Sequence, residues 1–189
     1  FLMGITIILA FRNKNTKNFL GKPLVLYAID AAKKSKIFDN IIISTDDKKI
    51  INLALNENVR VNKLRPKKLS NDNTPLFDVI KYEISLLSST TNNIKYLCCI
   101  LPNPLINYIN LKKSFYEIKS KKQHCVFSAG KYNYPIQRSL MIKNNGSVKF
   151  NFPKFSKYRS QDLRSSYHDA GQFYWWNYKI FKKFSTIND

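Results

Sequence analysis

The sequence predicts an α/β fold with a mostly parallel sheet, and two observations support that prediction. Short runs of apolar, β-branched residues recur along the chain, and stretches with helical periodicity separate them. Uninterrupted apolar runs are typical of strands buried on both faces, as in parallel sheets. Strands alternating with helices at this spacing form βαβ units with right-handed crossovers. A length of 189 residues allows one substantial core, so we expect a single domain over residues 1–189.

The first βα unit is expected over residues 4–32. Residues 4–10 form a short apolar run, the predicted central strand. Pro23 stands where a first helical turn tolerates proline, and Leu24 and Tyr27 begin the apolar face of the following helix. The basic loop between the two lies at the carboxyl end of the strand, where open α/β sheets bind ligands.

The same pattern continues through the first two thirds of the chain. The predicted strands are residues 41–45, 59–61, 96–101 and 125–128, and the predicted helices are residues 48–56, 76–87 and 111–118. Asp46 and Asp47 precede the helix at 48–56, where carboxylates favour the N-terminus, so capping is their expected role. The loops 46–47, 64–73 and 102–107 are expected at the ligand-binding edge.

From residue 134 the pattern changes to short strands and polar turns, which predicts a small inserted lobe at about residues 134–170. Asn145-Gly146 between two apolar runs predicts a hairpin there. The sheet is expected to resume at Gly171, with residues 172–175 as a strand and residues 169–171 as its tight entry. This stretch places His168, Asp169 and Gln172 among aromatic residues. Three hydrogen-bonding side chains beside a glycine suit a polar pocket, although a lone histidine of this kind is more often structural.

The amino-acid composition indicates which classes of molecule the protein could bind. The chain has 32 basic and 12 acidic residues, a net charge of +20, which favours nucleic acid, membrane surfaces or phosphorylated small molecules. The lysines are spread evenly, and neither an RNA-recognition signature nor a zinc-finger spacing is present, which argues against nucleic acid. The chain has no apolar run of the roughly 20 residues that span a bilayer, so we expect a soluble cytoplasmic protein. Cys98, Cys99 and Cys125 have no metal-ligand spacing and are expected to be reduced, buried thiols.

The basic loop after the first strand is placed to bind an anion, because lysines and main-chain N–H groups there can face a phosphate. Lys14 and Asn15 are the candidates for a triphosphate. The loop has neither P-loop nor dinucleotide-binding spacing, so an ordinary solvated loop is the alternative. Arg65 and Ser70 could bond a base edge, although an Arg before Pro also suits a surface turn.

Six sequence blocks occur in one order that a known family shares. They are Phe19 to Leu24, Ser44 to Asp47, Leu64 to Ser70, Pro135 to Arg138, Arg159 to Leu163 and Tyr167 to Trp175. With these blocks the chain resembles the CMP-sialic acid synthetase (acylneuraminate cytidylyltransferase) family through nearly its whole length. The last three are particular to the pseudaminic acid branch of that family.

The resemblance implies a Rossmann-like nucleotide-diphospho-sugar transferase fold, a homodimer, and a Mg²⁺-assisted reaction. That reaction joins CTP to pseudaminic acid, a nine-carbon nonulosonic acid, and gives CMP-pseudaminic acid and pyrophosphate. By the same resemblance, Lys14 and Arg12 are the catalytic candidates, and Lys14, Asn15, Arg65 and Ser70 bind the nucleotide. The implied sugar-binding residues are Gln137, Arg138, Arg159, Gln161, His168, Asp169 and Gln172, with an arginine taking the sugar carboxylate.

Two departures from the family leave alternatives open. Relatives carry a Gly-Gly turn with basic residues after the first strand, whereas here Ala10 runs directly into Phe11. The acidic residues that hold Mg²⁺ in relatives are expected beyond Asp189, so no metal ligand is assigned in this sequence. An impaired or truncated relative that only binds CMP or the sugar is therefore the alternative to an active enzyme. A basic nucleic-acid-binding protein is a third, weaker reading.

Overall fold

The computed structural model describes residues 4–11, 14–71, 73–87, 94–121 and 123–184. The strands in these ranges are β1 Gly4–Leu9, β2 Asn18–Phe19, β3 Lys22–Pro23, β4 Asn40–Ser44, β5 Arg60–Val61, β6 Tyr96–Ile100, β7 Cys125–Lys131, β8 Leu140–Ile142, β9 Val148–Phe150 and β10 Tyr167–Asn177. The helices are α1 Leu24–Ser35, α2 Lys48–Asn56, α3 Leu76–Ser85, α4 Tyr108–Ser120 and α5 Tyr178–Phe181. None of the described helices is long and apolar enough to cross a membrane.

Within the described residues, six strands form one sheet in the order β5-β4-β1-β6-β10-β7. The neighbours β5, β4, β1 and β6 are parallel, and β10 runs antiparallel to β6. Ile7 in the centre of β1 lies opposite Ile42 of β4 and Cys99 of β6. The predicted mostly parallel mixed sheet, with β1 at its centre, is confirmed.

Alternate residues of β1 enter two different cores, because side chains of a strand point to opposite faces of the sheet. Ile5, Ile7 and Leu9 pack with residues of α3 and α5, whereas Ile8 packs with residues of α1, α2 and α4. Full burial of such a side chain contributes about 1.5–3 kcal/mol. Helices on both faces explain why the strand sequence is apolar without alternation.

The aromatic run near the end of the chain is a core strand. Trp175 stacks on Phe38 with ring centroids 5.2 Å apart, and its Nε1 donates a hydrogen bond to Ser114 Oγ at 2.9 Å. Tyr174 and Trp176 pack into the opposite core. The predicted strand is therefore confirmed, and it is longer than expected.

Helix boundaries follow from capping. Asp47 Oδ1 accepts the Lys49 N–H at 2.8 Å, so α2 begins at the predicted residue. Asn107 Oδ1 accepts the Ile109 N–H at 2.8 Å, which starts α4 earlier than the apolar pattern indicated. Asp46 was expected to cap α2 with Asp47, but it lies beside Arg65 instead.

The described chain forms two compact units, the larger built from residues up to Phe127 and from Gln172 onward, the smaller from Ser128–Gly171. The smaller unit contains the predicted hairpin, since β8 and β9 pair antiparallel and Gly146 has φ +79° in the turn. Residues 135–138 and 159–163, within the region expected to contain short strands and polar turns, form 3-10 turns at Ile136–Arg138 and Ser160–Asp162. Pro135 explains the first turn, because proline favours a turn and cannot donate to a strand ladder.

Candidate functional site

Asn15 joins three segments at the carboxyl end of β1. Its side chain is 2% exposed, its Oδ1 accepts the Phe11 N–H at 2.6 Å, and its Nδ2 lies 3.5 Å from the carbonyl of Pro102, after β6. Its main-chain carbonyl accepts the N–H of Val25 in α1 at 3.1 Å. Asn15, predicted to contact a nucleotide, therefore also holds together the loop in which it lies.

Arg65 is buried at the same edge of the sheet, with 2% of its surface exposed. Its Nε donates to Ser70 Oγ at 3.3 Å, and its Nη2 donates to the carbonyl of Ala10 at 3.2 Å. Nη2 also lies 3.8 Å from Asp46 Oδ1, and the guanidinium lies over the Phe11 ring, 5.1 Å from its centroid. The structure thus brings the predicted pair Arg65 and Ser70 into direct contact beside the loop of Asn15.

Sequence reasoning missed Glu83, a fully buried carboxylate of α3. Asn62 Nδ2 donates to Glu83 Oε2 at 3.0 Å. Burial raises the pKa of Glu83, and the nearby Ser44 hydroxyl, the Asn62 amide and the Arg65 charge offset that effect in part. A glutamate at a core position of an amphipathic helix was the signal that could have found it.

The two catalytic candidates lie in the loop after β1. Lys14 is exposed in the turn that precedes Asn15, where its ammonium group can meet an anion from solvent. Arg12 lies outside the described residues, and its proposed role stays a prediction.

Arg138 organises part of the smaller unit. Its Nη1 donates to the carbonyls of Tyr158 at 2.7 Å and Ser156 at 3.3 Å, and its guanidinium lies 5.9 Å from the centroid of the Phe150 ring. The neighbouring Gln137 Nε2 donates to the carbonyl of Arg164 at 3.3 Å. These two predicted sugar-binding residues therefore also hold the turns of the smaller unit.

Arg159, one of the two arginines predicted to bind the sugar, already binds a carboxylate in fork geometry. Its Nε and Nη2 donate to the two oxygens of Asp162 at 2.8 and 3.2 Å. This pair is exposed, so a substrate carboxylate can compete with Asp162 at little cost. Gln161, between the two, is exposed in the same 3-10 turn.

Tyr134 is a polar group of the smaller unit that sequence reasoning did not single out. Its hydroxyl lies 2.9 Å from Ser160 Oγ. The hydrogen bond with Ser160 and the adjacent Arg138 charge lower the pKa of Tyr134. A tyrosine directly before the Pro135 to Arg138 block was the available signal.

His168 packs against a glycine and an aromatic ring. A Cβ at Gly130 would lie 2.7 Å from His168 Nε2, so only glycine leaves room for the imidazole there. The Tyr132 ring meets the imidazole edge-on with centroids 5.0 Å apart, and His168 Nδ1 lies 2.9 Å from the carbonyl of Asp169.

Asp169 shapes the strand next to that histidine. Its Oδ1 accepts the Gly171 N–H at 2.7 Å, and Gly171 takes the left-handed backbone with φ +60°. Gln172, the last predicted sugar-binding residue, belongs to the larger unit, where its carbonyl accepts the Leu101 N–H at 2.9 Å.

The resemblance implies Mg²⁺, which proteins usually hold with one or two carboxylates together with substrate phosphates. Across the parts of the chain that the structure describes, no group of three or more His, Cys, Asp or Glu side chains could bind a metal ion. Among the described residues no ligand of Mg²⁺ is therefore assigned.

Sequence comparisons identify similar proteins. A family model described as cytidylyltransferase matches residues 10–172. The pseudaminic acid cytidylyltransferase of Campylobacter jejuni is 36% identical over 182 residues, which cover 92% of this chain and 78% of that protein. A Helicobacter pylori protein described as pseudaminic acid cytidylyltransferase and UDP-2,4-diacetamido-2,4,6-trideoxy-beta-L-altropyranose hydrolase is 31% identical over 98% of this chain and 37% of its own length.

More distant proteins are similar to this chain in sequence or in fold. The N-acylneuraminate cytidylyltransferase of Escherichia coli is 28% identical over 86% of this chain and 38% of that protein. Among solved structures, CMP:2-keto-3-deoxy-manno-octonic acid synthetase complexed with CTP has a TM-score of 0.67 at 11% identity, covering 96% of this chain and 77% of that one. At this identity the structural likeness concerns the fold alone, and it confirms the predicted nucleotidyltransferase architecture.

Proposed function

The chain belongs to the cytidylyltransferase family, and from that premise we propose that it transfers the cytidylyl group of CTP to pseudaminic acid. The observation that carries the proposal is the 36% identity to a pseudaminic acid cytidylyltransferase along 92% of this chain. The products are CMP-pseudaminic acid and pyrophosphate.

The proposed chemistry is an in-line displacement at phosphorus. The anomeric hydroxyl oxygen of the sugar forms a bond to the α-phosphorus of CTP, and the bond from that phosphorus to the bridging oxygen of pyrophosphate breaks. The hydroxyl proton leaves to solvent. Charge on the phosphate oxygens is offset by cations. Lys14, exposed beside the carboxyl end of β1, is the described residue to which we assign this role, and Arg12 is proposed to assist it.

The nucleotide is proposed to bind the larger unit through Lys14, Asn15, Arg65 and Ser70. Support comes from the way Arg65 and Ser70 hydrogen-bond each other beside the Asn15 loop. Asn15, Arg65 and Ser70 are each held by more than one contact, so they lose little conformational entropy when a nucleotide binds.

The sugar is proposed to use Gln137, Arg138, Arg159, Gln161, His168, Asp169 and Gln172. Arg159 is the preferred partner for the sugar carboxylate, because its exposed guanidinium already forms a bidentate pair with Asp162. Exchange of one carboxylate for another preserves the geometry of that pair.

A homodimer is proposed from the surface of the β8–β9 hairpin. Leu140, Ile142 and Val148 lie on one face of this hairpin and are between 54% and 74% exposed, and exposed apolar groups on one face mark interaction sites. A second copy of the chain is the proposed occupant. Light scattering should give a dimer mass for the wild type and a lower mass for Ile142→Glu, whereas a monomeric wild type would contradict the proposal.

The direct test of the function is product formation. The full chain is incubated with CTP, pseudaminic acid and Mg²⁺, and CMP-sugar and pyrophosphate are quantified, with N-acetylneuraminic acid as the comparison sugar. We expect faster turnover of pseudaminic acid. Absence of any CMP-sugar contradicts the proposal. Calorimetric binding of CMP or the sugar without pyrophosphate release would instead support the alternative of a relative that only binds.

A further inference from the structure

Glu83 occupies a position where an apolar residue would be expected. Ile80, one helical turn before it, and Leu87, one turn after it, are buried in the core beside the sheet. A buried carboxylate costs free energy unless hydrogen bonds and opposite charge compensate it. Its presence in this core therefore calls for a role other than packing.

The contacts of Glu83 lead to the nucleotide-side residues. Asn62, which donates to Glu83 Oε2 at 3.0 Å, lies between β5 and Arg65 in the chain. Asn62 Oδ1 also accepts the Arg60 Nε–H at 2.8 Å. Through the Asn62 side-chain amide, Glu83 of α3 therefore contacts the segment that precedes Arg65 at the edge of the sheet.

The buried charges around Arg65 also connect Glu83 to the nucleotide-side residues. The Arg65 side chain has no exposed surface, and the adjacent Asp46 side chain is 6% exposed at 3.8 Å. The charge of Arg65 acts on Glu83 as well. A buried guanidinium needs such carboxylates to stay ionised and oriented.

We propose that Glu83 is a positioning residue for nucleotide binding, which holds the Arg60–Arg65 segment through Asn62 and balances the charge of Arg65. The inference rests on the proposed function, in which Arg65 and Ser70 bind CTP. It concerns CTP alone, since the sugar is assigned to other residues.

A purely structural role makes a different prediction from a positioning role. Glutamine has the shape of glutamate and can accept the same hydrogen bond from Asn62, but it carries no charge. A purely structural Glu83 would therefore tolerate Glu83→Gln without effect on ligands. A positioning Glu83 would lose CTP affinity in that variant while the fold stays intact.

The experiment compares wild type, Glu83→Gln and the control Glu117→Gln, which removes an equal charge from the exposed Lys121 pair. Calorimetry gives the Kd for CTP, steady-state kinetics give KM for CTP and for the sugar, and thermal melting reports the fold. We expect Glu83→Gln to raise Kd and KM for CTP about tenfold, the scale of coupling within one buried network. KM for the sugar and the control should stay near wild type, and Glu83→Gln should still melt cooperatively.

If wild type and Glu83→Gln bind CTP equally well, the inference about Glu83 is wrong, whereas the proposed function is not contradicted. The same conclusion follows if the only change in Glu83→Gln is a lower melting temperature. Wild type that binds no CTP contradicts the proposed function, and the inference falls with it. If Glu83→Gln does not fold, Asn62→Ala replaces it, and an unchanged CTP Kd in that variant overturns the inference.

Discussion

Arg65 donates a hydrogen bond through Nη2 to the main-chain carbonyl of Ala10, at 3.2 Å and across 55 residues of sequence. This bond joins the loop after β5 to the end of β1. Because the same guanidinium donates to Ser70 Oγ at 3.3 Å, one side chain sets the distance between two loops that are proposed to bind the nucleotide.

Arg65→Lys should lower stability and CTP affinity together. Lysine keeps the charge but cannot reach Ala10 and Ser70 at once, because it lacks the planar fork. The lost buried hydrogen bonds should cost about 1–3 kcal/mol in the free energy of unfolding, measured with urea. The matched control is Arg164→Lys at an exposed position. Unchanged CTP affinity in Arg65→Lys would refute its assignment to the nucleotide.

Two substitutions at Asn15 should separate its structural and ligand roles. Asn15→Ala leaves the partly buried Phe11 N–H without its acceptor, at a cost of about 1 kcal/mol. Asn15→Asp keeps that acceptor but places a negative charge beside a proposed triphosphate site. We therefore expect the alanine variant to be the less stable and the aspartate variant to bind CTP more weakly. Equal CTP affinities would contradict a place for Asn15 beside the phosphates, and Asn56→Ala on α2 serves as the exposed control.

Glu83 should make stability depend on pH in a defined direction. Burial raises its folded-state pKa above the ordinary 4.5, so the folded protein holds the proton more tightly than the unfolded chain. This contribution to stability is fully present below 4.5 and is lost as pH rises through the folded-state pKa. Among the neighbouring groups, Asn62 and Ser44 stay neutral and Arg65 stays charged.

Glu83→Gln removes this titration. Its free energy of unfolding, relative to wild type, should therefore increase as pH rises from acidic to neutral, as measured by urea unfolding at a series of pH values. Glu117→Gln, in an exposed ion pair, controls for the charge change. Parallel pH profiles of wild type and Glu83→Gln would show that the raised pKa does not govern stability.

Gly130→Ala should move His168. The added methyl would lie 2.7 Å from Nε2 and 2.9 Å from Cε1 of the imidazole, which therefore has to rotate away. We expect a several-fold higher KM for the sugar with KM for CTP unchanged. Gly146→Ala is the control, since φ +79° strains it but nothing contacts the new methyl, so it should cost about 1 kcal/mol of stability and leave KM alone. An unchanged KM for the sugar in Gly130→Ala would contradict the proposal that His168 binds the sugar.

The thiols should differ in reactivity. Cys98 and Cys99 are fully buried in β6, and burial raises the pKa of both thiols; Cys125 is only partly buried, which corrects the expectation of three buried thiols. A thiol-specific reagent should therefore label Cys125 in the native protein and all three after unfolding. Cys125→Ser should show no native labelling, and labelling of Cys98 or Cys99 before unfolding would contradict the packing of β6.

Local sequence patterns predicted most of the helices and strands, and the order of the sequence blocks predicted the family. Apolar runs without alternation predicted β1, β4 and β6, because burial on both faces removes the polar positions. The acidic pair before residue 48 predicted the start of α2, and Asn145-Gly146 predicted the hairpin, since caps and turns depend on adjacent residues. The ordered blocks predicted the cytidylyltransferase family, and the comparisons confirm it.

Which side chains contact each other depends on the three-dimensional fold. Arg65 follows β5, and it reaches Ala10 at the end of β1 because β5, β4 and β1 are consecutive in the sheet. Glu83 reaches Asn62 because α3 packs against the same sheet. His168 fits against Gly130 because β7 and β10 are neighbours. Such contacts join residues far apart in sequence and depend on strand order, which local periodicity does not encode. For that reason the sequence named Arg65 and His168 as candidates, but it did not reveal Glu83 and Gly130, the residues that hold them in place.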